Sequence, residues 1–188
     1  LTRPRIFALG LGLGQRLRPL LPARLRAQVP PRQDPGRLPD RRHFRTMLLL
    51  EGCVQSAATP RTNAAARRVF DRLGITLQNA PRAGCCGAVN YHLAAHSDGL
   101  DDMRRNIDAW WPQLEAGAEA ILSSATGCGS ILTEYGHLLA HDPAYADKAL
   151  RVSALARDIG EVLLEEELEQ LAINSPGSKV AVQTPCSL

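Results

Sequence analysis

The chain is poor in aromatic residues and has no long hydrophobic run. Phenylalanine, tryptophan and tyrosine make up 4% of its 188 residues, whereas 45% of the residues are hydrophobic. This balance favours helices packed on a sheet over an all-β sandwich. No stretch reaches the ~18 consecutive apolar residues of a membrane-spanning helix. The length is sufficient for one hydrophobic core.

Cysteine is also scarce, with five residues in the chain. No Cys-x-x-Cys pair occurs, which excludes the compact zinc-ribbon and thioredoxin-type motifs, and no regular spacing indicates a disulfide framework. A reducing compartment, where thiols serve as ligands or redox groups, therefore fits better than secretion. Despite this scarcity, Cys85 and Cys86 are adjacent and have glycine on both sides. Glycine lacks the Cβ atom that would hinder a close approach to the thiols.

Acidic residues are missing from the first 33 positions, which hold seven arginines. Residues 1–46 carry 11 arginines and 2 aspartates, a net charge of +9, whereas residues 47–188 have a net charge of −6. The sequence therefore predicts a basic arm joined to an acidic domain. Four prolines within residues 29–42 indicate an irregular connector, and we place the domain boundary between residues 46 and 47.

The basic arm is open to several interpretations. Apolar residues between its arginines are typical of a helical linker that packs on a neighbouring domain or subunit. A basic amphipathic segment can also lie on an anionic membrane surface, and an arginine-rich, acid-poor segment resembles a transit peptide. Nucleic acid is not expected as a partner, because no aromatic stacking residues are interleaved with the arginines.

The rest of the chain alternates between strand and helix patterns. Short apolar runs predict strands at 47–54, 75–77, 118–124 and 179–183. Helical periodicity predicts helices at 60–74, 88–117 and 130–140, and one from 143 to about 165, with interruptions of the second near 97–99 and at Pro112. We therefore predict an α/β fold with a mostly parallel sheet and helices on both faces.

Every cysteine lies at the carboxyl end of a predicted strand: Cys53, Cys85, Cys86, Cys128 and Cys186. Ligand sites of parallel sheets collect at that edge, so the thiols are expected to converge. Zinc binds four thiolates tetrahedrally, and an iron–sulfur cluster accepts the same set. Two alternatives stay open for the adjacent pair: small buried side chains, or a strained disulfide used in thiol–disulfide exchange.

The histidines are weaker candidates for a site. His92 and His96, like His137 and His141, are four residues apart, so each pair would share one face of a helix. Neither pair contains the glutamate of a His-Glu-x-x-His metalloprotease motif. We expect surface or hydrogen-bonded core histidines.

Five segments carry a specific resemblance. They are Leu48-Leu-Leu-Glu-Gly-Cys-Val-Gln55, Ala83-Gly-Cys-Cys-Gly-Ala88, Arg104-Arg-Asn-Ile-Asp-Ala-Trp-Trp-Pro112, Thr126-Gly-Cys-Gly129 and Glu134-Tyr-Gly-His-Leu-Leu139. They resemble the cysteine-rich CCG region of the glycolate oxidase iron–sulfur subunit. One of the subunits of heterodisulfide reductase and the small subunit of anaerobic glycerol-3-phosphate dehydrogenase share this domain. The Trp-Trp-Pro segment is specific to the glycolate oxidase branch.

The resemblance implies an electron-transfer subunit of a flavin-dependent glycolate oxidase (glycolate dehydrogenase). It would relay electrons from flavin-containing subunits towards the quinone pool, in the cytoplasm at the inner membrane, while a partner chain oxidises glycolate. Cys53, Cys85, Cys86 and Cys128 would bind a 4Fe-4S cluster, with zinc as the alternative metal, and Cys186 would belong to a second site. The alternative function is a structural docking module, zinc-bound or metal-free, of a redox complex.

The resemblance also implies a domain plan. Residues 1–46 would follow an N-terminal ferredoxin domain, residues 47–175 would form a first CCG domain, and residues 176–188 would open a second copy. We therefore expect a fragment that lacks the ferredoxin domain and most of the second copy. One position departs from the family pattern, since Ala125 stands where the first cysteine of a final Cys-x-x-Cys pair would be. Four thiols instead of five argue against a non-cubane cluster of the heterodisulfide reductase kind.

Overall fold

A computed structural model describes residues 3–172, 177, 179 and 181. Its described part has a four-stranded sheet built from β1 (Arg45–Leu50), β2 (Ile75–Gln78), β3 (Ile121–Ser123) and β4 (Ala156–Asp158). The spatial order is β2-β1-β3-β4, and every neighbouring pair is parallel. The prediction of an α/β fold with a parallel sheet is confirmed.

Helices cover both faces of this sheet, as predicted. The helices are α1 (Pro4–Leu17), α2 (Ala23–Gln28), α3 (Gln55–Ala58), α4 (Pro60–Arg72), α5 (Ala88–His92), α6 (His96–Glu115), α7 (Thr126–Leu138), α8 (Ala146–Leu155) and α9 (Ile159–Glu165), with short 3₁₀ turns at Arg18–Leu20 and Leu168–Leu171. Residues of α6, α7 and α8 pack on one face, and residues of α4 and α9 pack on the other.

Strand β1 lies at the centre because its side chains are apolar on both faces. Leu48 and Leu50 join the core beneath α6, α7 and α8, whereas Met47 and Leu49 join the core beneath α4 and α9. All four side chains are buried. A continuous apolar run is the sequence pattern of a parallel strand covered on both sides, which explains why this strand was predictable.

The helix predicted from residue 143 to about 165 is wrong as a single element. It ends at Leu155, and the next three residues form β4, which pairs with β3 through Ile121 and Ala156. Helix α9 then begins with a capping box, in which Asp158 accepts from the Gly160 amide and Glu161 accepts from the Asp158 amide. Sheet pairing and this cap outweigh the helical periodicity of the segment.

The predicted interruptions of the helix at 88–117 also need correction. The break lies at residues 93–95, between α5 and α6, not at 97–99. Helix α6 continues through Pro112 to Glu115. A proline removes one backbone hydrogen bond, and here the buried side chains of Trp110 and Leu114 on either side of it hold the last turn against the core.

Three further sequence predictions have different outcomes. The strand predicted at 179–183 and Cys186 lie outside the described residues, apart from residues 179 and 181. The shared helix face predicted for each histidine pair is wrong, because His92 ends α5 while His96 begins α6, and α7 ends before His141. The expectation of surface histidines is confirmed, since all four side chains are exposed. The domain limits at 46/47 and 175/176 stay a prediction.

The basic arm is helical, and one of its faces is exposed. Phe7 and Leu11 of α1 are half-buried, while Ile6, Leu9 and Leu13 are 59–76% exposed. Helix α1 lies against α3, and Arg18 donates to the carbonyl of Val29. Among the described residues, no helix is both long and apolar enough to cross a membrane.

Candidate metal centre

The first cysteine loop follows β1. The strand ends at Leu50, and Gly52 adopts a left-handed backbone (φ +72°) that turns the chain immediately before Cys53. The Ser56 hydroxyl donates to the Gly52 carbonyl at 2.8 Å and closes this turn. Cys53 is 5% exposed, so its thiol lies under the surface at the carboxyl end of the sheet.

The second loop follows β2 and carries both adjacent cysteines. Cys85 is fully buried and Cys86 is 3% exposed. Helix α6 holds the loop through Asn106, which donates to the Cys85 carbonyl at 2.7 Å and accepts from the Gly84 amide at 2.8 Å. The Tyr135 hydroxyl of α7 donates to the Cys86 carbonyl at 2.7 Å. Three consecutive residues are thus tied to the protein core.

The third loop follows β3 and is shorter than predicted. Helix α7 begins at Thr126, whereas we predicted its start near residue 130, so Cys128 lies in the first helical turn. The Ser123 hydroxyl donates to the Ala125 carbonyl and accepts from the Ala125 amide, which shapes the connection. A thiol at the first turn of a helix lies near the positive end of the helix dipole, which favours its thiolate.

The structure brings the four described cysteines together at one edge. The Cys86 and Cys128 sulfurs are 3.3 Å apart, and Cys85 is near enough to Cys53 to raise the pKa of the Cys53 thiol. All four thiols are free. Their ligand role remains a prediction, as does that of Cys186, which lies outside the described residues.

The thiols differ in their readiness to ionise. Hydrogen bonds from Cys53 and Cys86, the Gly87 amide and the charge of Arg105 lower the pKa of Cys85 against the effect of burial. A hydrogen bond from Cys86 lowers the pKa of Cys128. The two thiols that donate these hydrogen bonds have a raised pKa. The bond to Cys85, together with burial, raises the pKa of Cys53. The bonds to Cys128 and Cys85, together with burial, raise the pKa of Cys86.

Four thiols are chemically suited to bind a soft metal ion. Thiolates are the preferred ligands of zinc and of iron–sulfur clusters. Two thiolates on one tetrahedral zinc would be about 3.8 Å apart, given a zinc–sulfur distance of about 2.3 Å. The Cys86–Cys128 separation is shorter than that, and the described residues contain no group of three or more side chains already spaced to hold a metal ion. The Cys86 and Cys128 thiols therefore lie closer together than two ligands of one bound zinc would.

Sequence reasoning missed the polar residues that support the loops. Asn106 is fully buried beside Met103, Ile107 and Trp110 of the same helix. A polar residue on the apolar face of an amphipathic helix was a visible signal, because such residues are kept only where they find hydrogen-bond partners. Its partners, however, lie more than 20 residues away in sequence, and no local pattern indicates them.

A parallel sheet covered by helices, with free thiols at its carboxyl edge, defines the class of this protein as a cysteine-rich α/β domain. Residues 47–133 match the family model "CCG: Cysteine-rich domain", so this part of the chain is a cysteine-rich domain of that family. The described cysteines all fall within the matched residues.

The chain as a whole is similar to iron–sulfur subunits. It is 52% identical over 187 residues to the "Glycolate oxidase iron-sulfur subunit" of Escherichia coli, an alignment that covers 99% of this chain and 46% of the relative. It is 32% identical over 140 residues to the "Probable glycolate oxidase iron-sulfur subunit" of Bacillus subtilis, covering 73% of this chain and 30% of the relative. The resemblance predicted from the motifs is confirmed.

A more distant similarity has a different name. The "Lactate utilization protein A" of Geobacillus thermodenitrificans is 23% identical over 121 residues, which cover 64% of this chain and 48% of the relative. The chain thus spans less than half the length of these three relatives. No solved structure matches it significantly.

Proposed function

We propose that the chain is part of an electron-transfer iron–sulfur subunit of a flavin-dependent glycolate oxidase. The observation that carries the proposal is the position of four free thiols, from three loops, at the carboxyl edge of the sheet, where the Cys86 and Cys128 sulfurs are in contact. The 52% identity to a glycolate oxidase iron-sulfur subunit adds the substrate class. Glycolate oxidation itself belongs, in this proposal, to a flavin-containing partner subunit.

The cysteines have distinct roles in the proposal. Cys53, Cys85, Cys86 and Cys128 hold an iron–sulfur cluster, which supplies one-electron transfer when bound. Four thiolates match the ligand number of a 4Fe-4S cluster, and Ala125 supplies no fifth. Because the Cys86 and Cys128 sulfurs are 3.3 Å apart, we expect these two side chains to separate when the cluster binds.

Anaerobic reconstitution of the purified chain with iron and sulfide tests the proposal. We expect thiolate-to-iron absorption and a Mössbauer spectrum of a four-iron cluster. Cys85→Ser should abolish both, because Cys85 is the buried thiol with the lowered pKa. Cys186→Ser is the matched control, since it removes a thiol outside the first site, and it should retain the cluster.

Metal analysis of the same samples tests the rival function. Stoichiometric zinc with no iron, retained in the Cys186→Ser chain and lost in the Cys85→Ser chain, would contradict the electron-transfer proposal and favour a zinc-bound docking module. A colourless, metal-free chain under all conditions would contradict both metal assignments.

The proposal extends to the cytoplasmic face of the inner membrane, where electrons would pass towards quinone. Support comes from α1, on which Ile6, Leu9, Leu13 and Leu17 are exposed along one side. Arginines flank these residues, and no acidic residue occurs before Asp34. A basic helix with an exposed apolar face binds anionic lipid surfaces.

Vesicle flotation tests the membrane contact. The chain should float with phosphatidylglycerol vesicles, float less with phosphatidylcholine vesicles, and detach as salt increases. The double variant Leu9→Glu, Leu13→Glu should lose binding. The control Leu164→Glu changes an equally exposed leucine of α9 and should bind like the original chain. Equal binding of all three proteins would show that α1 does not make the membrane contact.

A further inference from the structure

The buried polar side chains have a common location. Among the described residues, the buried polar or charged side chains are Asn63, Asp102, Asn106 and Ser123. Each lies beside one of the three cysteine loops. A buried polar side chain costs free energy unless it is hydrogen-bonded. The concentration of these four side chains at one edge of the sheet therefore indicates a functional role for that edge.

Asn106 uses both ends of its amide on the adjacent cysteines. Its Nδ2 donates to the Cys85 carbonyl at 2.7 Å and to the Tyr135 hydroxyl at 3.2 Å. Its Oδ1 accepts from the Gly84 amide at 2.8 Å. The side chain is fully buried, so water does not compete for these bonds. The Ala83–Gly84 and Cys85–Cys86 peptides are therefore fixed relative to α6.

Tyr135 extends the same network by one residue. Its ring is fully buried in the core, and its hydroxyl donates to the Cys86 carbonyl at 2.7 Å. Burial raises the pKa of Tyr135, which keeps the hydroxyl protonated and able to donate. The carbonyls of both adjacent cysteines are therefore bonded to donors from two different helices, α6 and α7.

Arg105 reinforces this arrangement from the outer side. Its guanidinium donates to the Cys85 carbonyl at 3.4 Å and to Asp102 at 2.6 Å. Asp102 also accepts from Asn90 at 2.9 Å, at the start of the helical segment after the cysteines. Asn106 and Tyr135, which are uncharged, thus hold the loop on its inner side. The Arg105–Asp102 ion pair holds it on its outer side.

We infer that Asn106 and Tyr135 are positioning residues for the electron-transfer site. They fix the Gly84–Cys86 peptides so that both thiols reach the site, and they neutralise the two cysteine carbonyls nearest to it. The second part rests on the proposed function, because it concerns the reduction potential of the bound cluster. The first part concerns the metal-free chain and stands independently.

The expected effect on the potential follows from charge. A carbonyl oxygen carries partial negative charge, and a hydrogen-bond donor offsets it. Loss of the Tyr135 hydroxyl leaves the Cys86 carbonyl uncompensated beside the thiolates. Negative charge near a cluster disfavours the added electron, so the midpoint potential should become more negative.

Tyr135→Phe is the primary test, since it removes one hydroxyl and keeps the ring. Its matched control is Tyr145→Phe, which removes the 2.8 Å hydrogen bond from the Tyr145 hydroxyl to Asp108 on the surface. In the metal-free, reduced 188-residue chain, alkylation of each cysteine by iodoacetamide is followed by mass spectrometry. Tyr135→Phe removes the bond to the Cys86 carbonyl and the weaker bond that the hydroxyl accepts from Asn106. This loss should accelerate alkylation of Cys85 and Cys86 about tenfold.

The ratio to Cys53 separates positioning from general destabilisation. We expect Cys85 and Cys86 to react faster relative to Cys53 in Tyr135→Phe, and no change in Tyr145→Phe. Equal acceleration at every cysteine, or none, would overturn the inference. Asn106→Asp is a second variant, because it keeps the acceptor for Gly84 but loses both donated bonds, and the same local acceleration is expected.

Reconstituted samples then test the electronic part. Tyr135→Phe should still bind the cluster, with a midpoint potential more negative than that of the original chain and of Tyr145→Phe. An unchanged potential would overturn this part. If the original chain binds no cluster, the proposed function fails, whereas the alkylation result still decides whether Asn106 and Tyr135 hold the loop.

Discussion

The sulfurs of Cys86 and Cys128 lie 3.3 Å apart although the residues are 42 positions apart in sequence. They follow β2 and β3, which are not neighbours, since β1 lies between them in the sheet. The loop after β2 must therefore cross the end of β1 to reach Cys128. This crossing explains why the loop is long and why so many core side chains hold it, because a long unsupported loop would be conformationally free.

Gly87, which ends the crossing loop, has no room for a side chain. Its backbone is left-handed (φ +91°), and a Cβ atom would lie 2.7 Å from the carbonyl oxygen of Gly99. Gly87→Ala should lower the free energy of unfolding by about 3 kcal/mol, combining backbone strain with a clash against α6. Chemical denaturation followed by circular dichroism measures this change.

Gly117→Ala separates the two causes. Gly117 has a similar backbone (φ +95°), but a Cβ atom at this position would have no neighbour within 4 Å. Strain alone should cost about 1 kcal/mol there. Equal losses at the two positions would mean that the contact with Gly99 adds nothing.

Asn63 supports the other two loops and provides a second prediction. Its Nδ2 donates to the Glu51 carbonyl at 2.9 Å, and its Oδ1 accepts from the Ser124 hydroxyl at 2.7 Å. Because the site is buried, Asn63→Ala should cost about 2 kcal/mol of unfolding free energy through unsatisfied polar groups. Asn79→Ala, at an exposed position, is the control and should cost clearly less.

The sheet and the location of the thiols were predictable because both depend on local sequence. The apolar run of β1 and the glycine before Cys53 define a strand and its end without reference to the rest of the chain. Parallel order then brings the strand ends together. The order of the strands alone therefore places at one edge Cys53, Cys85, Cys86 and Cys128.

Features that depend on distant partners were not predictable. Strand β4 has three residues, and its sequence continues the helical spacing of α8, so only pairing with β3 defines it. The early start of α7, which puts Cys128 on a helix, depends on the local bonds of Ser123. The roles of Asn106 and Tyr135 depend on contacts 21 and 49 residues away.

Arg45 joins three elements at the amino end of the sheet and leads to a third prediction. It pairs with Glu119 before β3 at 2.9 Å and with Glu166 after α9 at 2.8 Å. Hydrogen bonds to Glu166 and Glu119 raise the pKa of Arg45. Since Arg45 and Glu119 are over one-third exposed, Arg45→Met should cost only about 1 kcal/mol.

Salt dependence identifies the cause of that loss. The difference between the original chain and Arg45→Met should shrink in high salt, because exposed charges are screened. Arg37→Met is the control, since Arg37 and Asp40 are 88% and 79% exposed, and no measurable change is expected. A loss that salt leaves unchanged would assign the effect to packing of the arginine stem.

Asp142 provides a prediction on acid stability. A hydrogen bond from Arg104 at 2.7 Å, assisted by the Ala144 and Tyr145 amides, lowers the pKa of Asp142. A carboxyl group with a lowered pKa in the folded state stabilises the fold above its unfolded value of about 3.9. That stability is lost as the pH falls through the folded value. Asp142→Asn should therefore be less stable near neutral pH and lose less stability on acidification than the original chain.

Asp101→Asn is the matched control for this pH dependence, because Asp101 pairs with the same arginine while its side chain is 71% exposed. Urea unfolding at several pH values between neutral and acid measures both variants. The Asp101→Asn curve should run parallel to that of the original chain, whereas the Asp142→Asn curve should converge with it at low pH. Parallel curves for both variants would show that the Arg104–Asp142 pair, which joins α6 to the segment between α7 and α8, does not make stability depend on pH.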